Sequence, residues 1–78
     1  MANAKILGIE WRNARRNVGF VLIENDIGEQ SVRVGCAEPF SVDEEQDINM
    51  IVDYGSKLSF NEAKGFFPHI EEKKYKKN

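Results

Sequence analysis

Six consecutive residues without a polar side chain, Val18-Gly19-Phe20-Val21-Leu22-Ile23, constrain this chain more than any other feature. A strand that is apolar on both faces must be covered on both sides or lie at the centre of its sheet. The neighbouring runs alternate instead. Leu7, Ile9 and Trp11 interleave with Gly8, Glu10 and Arg12, and Val32, Val34 and Cys36 interleave with Ser31, Arg33 and Gly35. That period of two marks half-buried strands. Ile6 falls on the wetter face and makes the first alternation imperfect. Three strands are therefore expected, at about residues 4–12, 18–23 and 30–37, paired as an antiparallel meander with the apolar one in the middle.

The connections fit hairpins. Asn13-Ala14-Arg15-Arg16-Asn17 breaks the first pattern, with an Asn at each end to tolerate turn conformations. Asn25-Asp26-Ile27-Gly28 reads as a type I turn closed by a glycine in the left-handed region. Pro39 ends the sheet pattern, because proline cannot donate to a ladder.

The period then changes. Ser41-Val42-Asp43-Glu44 and Ser59-Phe60-Asn61-Glu62 both carry the capping-box spacing, in which the Ser hydroxyl and the Glu carboxylate satisfy each other's backbone amides. A first helix is expected from about Val42 to Tyr54, with Ile48, Ile51 and Val52 on one face and Gly55 free to take positive φ at its end. A second helix, about Phe60 to Phe67, puts Ala63, Phe66 and Phe67 on one stripe and is stopped by Pro68. These elements make an α+β fold: a three-stranded antiparallel meander followed by two short helices packed on one face, order βββαα. Residues 1–70 are expected to form a single small domain, and residues 71–78 a charged, Lys-rich tail.

At 78 residues the core is small, with ~3–5 kcal/mol of net stability typical of the size. The usual staples are missing. Cys36 has no second cysteine to pair with, and His69 is a lone histidine, too little for a structural zinc site. Self-association or a partner is one source of extra burial. No apolar stretch of signal-peptide or membrane-spanning length is seen, and a lone cysteine suits a reducing compartment, so the cytoplasm is the expected location.

The net charge of −2 hides a segregation. Residues 1–28 carry four basic and three acidic side chains, residues 29–55 one basic against seven acidic, and residues 56–78 six lysines against three glutamates. Opposite signs on separate segments steer partners more than they set the fold.

Catalytic chemistry has little to stand on. The cysteine falls in phase with Val32 and Val34, where a small buried hydrophobe is expected, and nothing in the spacing brings His69 to it. No phosphate-binding glycine loop, HExxH or GxSxG occurs, and EF-hand spacing is absent. The expectation is no enzyme, no cofactor and no metal. Two surfaces remain. The first helix carries Asp43, Glu44, Asp47 and Asp53, with Tyr54 as an aromatic neighbour and Phe60 and Phe66 as further candidate anchors. The first hairpin carries Arg12, Arg15 and Arg16, near a sheet face bearing Glu10 and Arg33.

The expected role is a small intracellular protein-binding module, an adaptor or inhibitor of the kind that phages direct at a host or defence protein. A second reading is a single-stranded nucleic-acid binder that uses Arg12, Arg15, Arg16 and the interleaved Lys73, Lys74, Tyr75, Lys76 and Lys77. The acidic overall balance and the in-phase Trp11 count against it. A third is a homodimer that encloses a small ligand. The edge of the third strand is a further place for strand addition.

Overall fold

The computed structural model describes residues 4–12, 17–38 and 41–76. The expected meander forms as β1 (Lys5–Trp11), β2 (Val18–Glu24) and β3 (Gln30–Cys36), with β2 in the centre. All pairs are antiparallel; Phe20 lies opposite both Glu10 and Val34, and Val21 opposite both Ile9 and Arg33. The β2–β3 turn is built as its residues predict. Asn25 Oδ1 accepts from the backbone N–H of Ile27 (3.1 Å) and of Glu29 (2.8 Å), and Gly28 takes φ +85°. In β1 the register shifts between Ile6 and Gly8, leaving Leu7 as a bulge.

The helices do not share one face of the sheet, as the two-layer reading had it. Helix α1 (Glu44–Tyr54) lies on the side of Val21 and Ile23, where Ile48 and Ile51 complete a core with Ile9, Trp11 and Val52 around it. Helix α2 (Phe60–Phe66) lies on the other side, where Phe20, Val32, Ala63, Ile70 and Tyr75 form a second core. Phe20 and Phe66 stack there with ring centroids 3.9 Å apart. Adjacent residues of one strand point to opposite faces, so burial of both Phe20 and Val21 requires a cover on each side. The continuous apolar run of β2 was compatible with a central place in the sheet or with cover on both sides; the fold supplies both, in three layers.

Close approach of α1 depends on two glycines that face each other across β2 and β3, Gly19 and Gly35. A Cβ at Gly19 would stand 2.6 Å from the Trp11 ring and 2.9 Å from Ile51 Cδ1; one at Gly35 would stand 3.1 Å from Ile51 Cγ1. The pair makes a bare floor on which Ile51, 2 % exposed, is seated. Gly55 is likewise a close-approach residue. Its φ of −70° is ordinary, against the expected left-handed cap, and a side chain there would run into the carbonyls of Ile51 and Val34.

The first helix is capped two residues later than the sequence spacing suggested, at Asp43 instead of Ser41. Asp43 Oδ1 accepts from Gln46 N–H at 3.0 Å, while Ser41 Oγ accepts from Asp43 N–H at 3.2 Å. A carboxylate three residues before an open amide outcompetes the more distant serine and favours the positive helix end. The second capping box forms as expected: Ser59 Oγ accepts from Glu62 N–H (3.3 Å) and Glu62 Oε1 from Ser59 N–H (3.2 Å).

A fourth strand, β4 (Ser56–Lys57), pairs with Arg33 and Val34, so the β3 edge expected to be open is covered. Within the charged segment, residues 71–76 complete that cover. After a 3-10 turn (Glu72–Lys74), Tyr75 bridges Gln30 in parallel and Lys76 N–H donates to the Gln30 carbonyl at 2.6 Å. The Tyr75 hydroxyl accepts from Val32 N–H (3.0 Å) and donates to the Leu58 carbonyl (2.7 Å), replacing the strand bond that a two-residue β4 is too short to make. Burial raises the pKa of this hydroxyl above its ordinary value of 10.0, with the Glu62 charge adding to the rise and the Val32 hydrogen bond and Arg33 opposing it. Cys36, expected as a buried hydrophobe, is exposed, because it is the last residue of β3 and lies past the covered part of the strand.

Candidate partner-binding surface

The outer side of α1 is the most one-sided surface of the described chain. Asp43, Glu44, Glu45, Asp47 and Asp53 lie on the helix or at its cap, and no basic residue occurs in its last turn. Residues 42–54 contain no lysine, arginine or histidine. An ordinary helix places a cation near its C-terminus to offset the dipole; here Arg33, reaching from β3, supplies that charge and donates to the Gly55 carbonyl at 3.1 Å.

Four-residue spacing puts Gln46, Met50 and Tyr54 in one line on this helix, and Val42 precedes them at the same interval. Met50 is 51 % exposed, Tyr54 83 %, and Val42 fully so. Glu45, Asn49 and Asp53 form the adjacent exposed line. This face of the helix thus carries an exposed apolar stripe beside carboxylates.

The acidic residues divide by environment. Glu44 Oε2 accepts from Trp11 Nε1 at 3.0 Å and so ties α1 to β1. Asp43 is the helix cap. Asp53 is exposed. Asp47 is the exception: it is only 7 % exposed and lines a pocket of about 230 Å³ with Cys36, Ala37, Glu38 and Met50. Its carboxylate oxygens are not sealed off: among the described residues the enclosed side-chain atom without a hydrogen-bond partner is Arg33 Nε.

The other expected residues are not brought together. Arg12 is exposed, and its guanidinium lies 5.9 Å and 5.7 Å from the ring centroids of Phe20 and Phe66, so it covers the aromatic stack on the α2 side. Arg15 and Arg16 lie outside the described residues, as do Pro39 and Lys77. Glu10 and Arg33 share no exposed sheet face, since helices cover both faces. Glu10 lines a cleft of about 370 Å³ with Leu7, Phe66, Phe67 and His69, on the α2 side, while Arg33 is half-buried beside α1. Lys73, Lys74 and Lys76 are exposed, with Lys74 Nζ 3.9 Å from Glu71 Oε1.

The aromatics that a nucleic-acid binder would offer are committed elsewhere. Tyr75 is buried, with its ring 5.7 Å edge-on to Phe60 and its hydroxyl bonded twice. Trp11 is packed against the α1 core. Of the candidate anchors Tyr54, Phe60 and Phe66, only Tyr54 is fully on the surface.

Cys36 and His69 line different pockets. Among the described residues no three His, Cys, Asp or Glu side chains are grouped to hold a metal ion, and no helix is long and apolar enough to cross a membrane. The pocket at Asp47 and the exposed line through Met50 were not legible in the sequence, because both depend on where the end of β3 meets α1. The one available signal was the spacing of Val42, Met50 and Tyr54 on the side opposite Ile48 and Ile51. No protein-family model matches the chain, and neither do any curated protein or solved structure.

Proposed function

We propose that this chain is a small, non-catalytic protein-binding module, an adaptor or inhibitor working in the cytoplasm, that captures a basic partner on the outer side of α1. The observation that carries this reading is the conjunction on one helix of five carboxylates, no cation, and an exposed stripe of Met50 and Tyr54. Like charges so arranged repel one another and lower the stability of the isolated helix by a few tenths of a kcal/mol per pair. A basic partner relieves that repulsion, speeds encounter through complementary potential, and leaves the apolar stripe to supply desolvation.

Panning a random peptide display library on the immobilised chain tests the reading. Enriched peptides should combine Arg or Lys with an apolar residue, weaken steeply with salt, and lose at least tenfold in affinity against a Glu45→Lys/Asp53→Lys double variant. Equal binding to that variant, or enrichment of acidic or purely apolar sequences, would sink it.

A further inference from the structure

We infer that the pocket between the end of β3 and α1 takes the side chain of an arginine from the partner. This deepens the reading of α1 as the partner-facing surface and rests on it. The pocket is lined by Cys36, Ala37, Glu38, Asp47 and Met50 and holds about 230 Å³. Its chemistry is specific. Asp47 is only 7 % exposed as a residue and lines the pocket, and its carboxylate oxygens are not sealed from it, so a cation that enters can pair with them.

A carboxylate that lines an open pocket whose walls hold no cation is half of an ion pair. Glu38 supplies a second carboxylate on the rim. Two acceptors suit a planar guanidinium, whose fork of donors can bond both, better than the point charge of a lysine. Met50 and Ala37 give apolar walls for the aliphatic stem, and the flexible thioether of Met50 can adjust to it. The mouth adjoins the Met50–Tyr54 stripe, so one extended basic segment can place an arginine in the pocket and an apolar side chain on the helix.

Three groups of competing surfaces are weaker. The cleft at Glu10 and His69 has an apolar floor but no buried carboxylate. The turn around Ile27 and Lys73–Lys76 mixes both signs of charge. The outer edge of β1 is interrupted by the Leu7 bulge, which spoils regular strand addition.

The test uses the full ¹⁵N-labelled chain, titrated with N-acetyl-Gly-Arg-Gly-amide and with the same peptide carrying citrulline, the neutral isostere. The expected result is saturable amide shifts centred on Cys36, Ala37, Glu38, Asp47 and Met50, half-saturating at millimolar arginine peptide. Binding should be at least tenfold weaker with citrulline and at least tenfold weaker for Asp47→Asn. The lysine peptide should bind several-fold less well than arginine. Unsaturating shifts spread over Glu29, Glu45, Asp53 and Glu72 alike would overturn the pocket, as would unchanged binding by Asp47→Asn.

Thermal unfolding of Asp47→Asn supplies an independent readout. A melting temperature equal to or above that of the parent is expected, because one of several like charges on α1 has been removed; a clear fall would assign Asp47 a structural role and overturn the inference. If arginine peptides fail while displayed peptides still depend on Glu45 and Asp53, the pocket falls and the reading of α1 stands. If the arginine peptide binds but displayed peptides ignore α1, the reading of the helix face fails.

Discussion

Replacing Tyr75 with Phe removes one oxygen atom and should cost this domain a large part of its stability. The hydroxyl accepts from Val32 N–H inside the core and donates to the Leu58 carbonyl. In Tyr75→Phe the ring keeps its edge-on contact with Phe60, so the apolar contribution is nearly unchanged. What is lost is the partner of a buried donor, about 1–3 kcal/mol, together with a second, partly exposed bond of about 0.5–1.5 kcal/mol. A net loss of about 2 kcal/mol, set against the ~3–5 kcal/mol expected for a domain of this size, is a substantial fraction.

Urea denaturation followed by the fluorescence of Trp11, the only tryptophan, measures it. With a slope of about 1 kcal/mol/M, the midpoint should fall by roughly 2 M. Trp11 belongs to the opposite core, so a full shift at that probe also shows that the two cores unfold together. The pH profile gives a further handle. Burial raises the folded-state pKa of Tyr75, so its stabilising effect is complete below the unfolded value near 10 and declines as pH rises from there through the folded pKa. The parent should therefore lose stability above about pH 10, and Tyr75→Phe should lose less over the same range. A midpoint for the variant within about 0.3 M of the parent would refute the assignment of the hydroxyl as the bond that closes the sheet.

Three other perturbations address separate parts of the fold. Gly19→Ala pushes a methyl into the Trp11 ring and Ile51 and should cost about 1–3 kcal/mol through overpacking, with a shift in Trp11 emission that reports the displaced ring; unchanged emission and midpoint would mean that the floor under α1 is not tight. Ser59→Ala removes the hydroxyl half of the capping box at α2, the acceptor for Glu62 N–H, and should cost about 1 kcal/mol in urea denaturation, Ser59→Gly only a few tenths; equal losses from the two would point away from the cap. Cys36 is exposed, so a colorimetric thiol reagent should consume one equivalent in the native state at a rate that sub-denaturing urea leaves unchanged, whereas reaction only on unfolding would bury it.

Much of the fold was written in patterns of period two. β1, β2 and β3 end within two residues of their expected limits, and the Gly28 turn forms from Asn25 and Gly28 as their chemistry requires. The layering departs from the expected one: Val18 to Ile23 allowed two covers as well as a central place in the sheet, and the expected arrangement put both helices on one face, because a helix has no address in its own residues. Only the packing of Ile51 on Gly19 and Gly35 assigns α1 to one face. β4 spans two residues and is too short for any periodicity. Tyr75 sits among lysines, and its role depends on the unfilled stretch of β3, forty-three residues away in sequence. Asp47 reads as one of several carboxylates until the end of β3 is laid against it. The candidate site was therefore legible as a helix and as a sign of charge, and its pocket was not.

Closure of the β3 edge by Tyr75 and Lys76 has a consequence for how the chain is made. During synthesis the three-stranded meander is available once Cys36 has emerged and β4 then covers Arg33 and Val34, yet the residues that close the edge at Gln30 and Val32 come about forty positions after Cys36. At about 5–20 residues per second this leaves roughly 2–8 s in which unpaired amides and carbonyls of β3 face other nascent chains. The intervening lysines and glutamates of residues 71–74 delay no pairing of their own and keep the arriving segment soluble. A ribosome that stalls just short of Tyr75 would hold the meander with the Gln30 and Val32 positions of β3 still uncovered, a margin open to pairing with neighbouring chains.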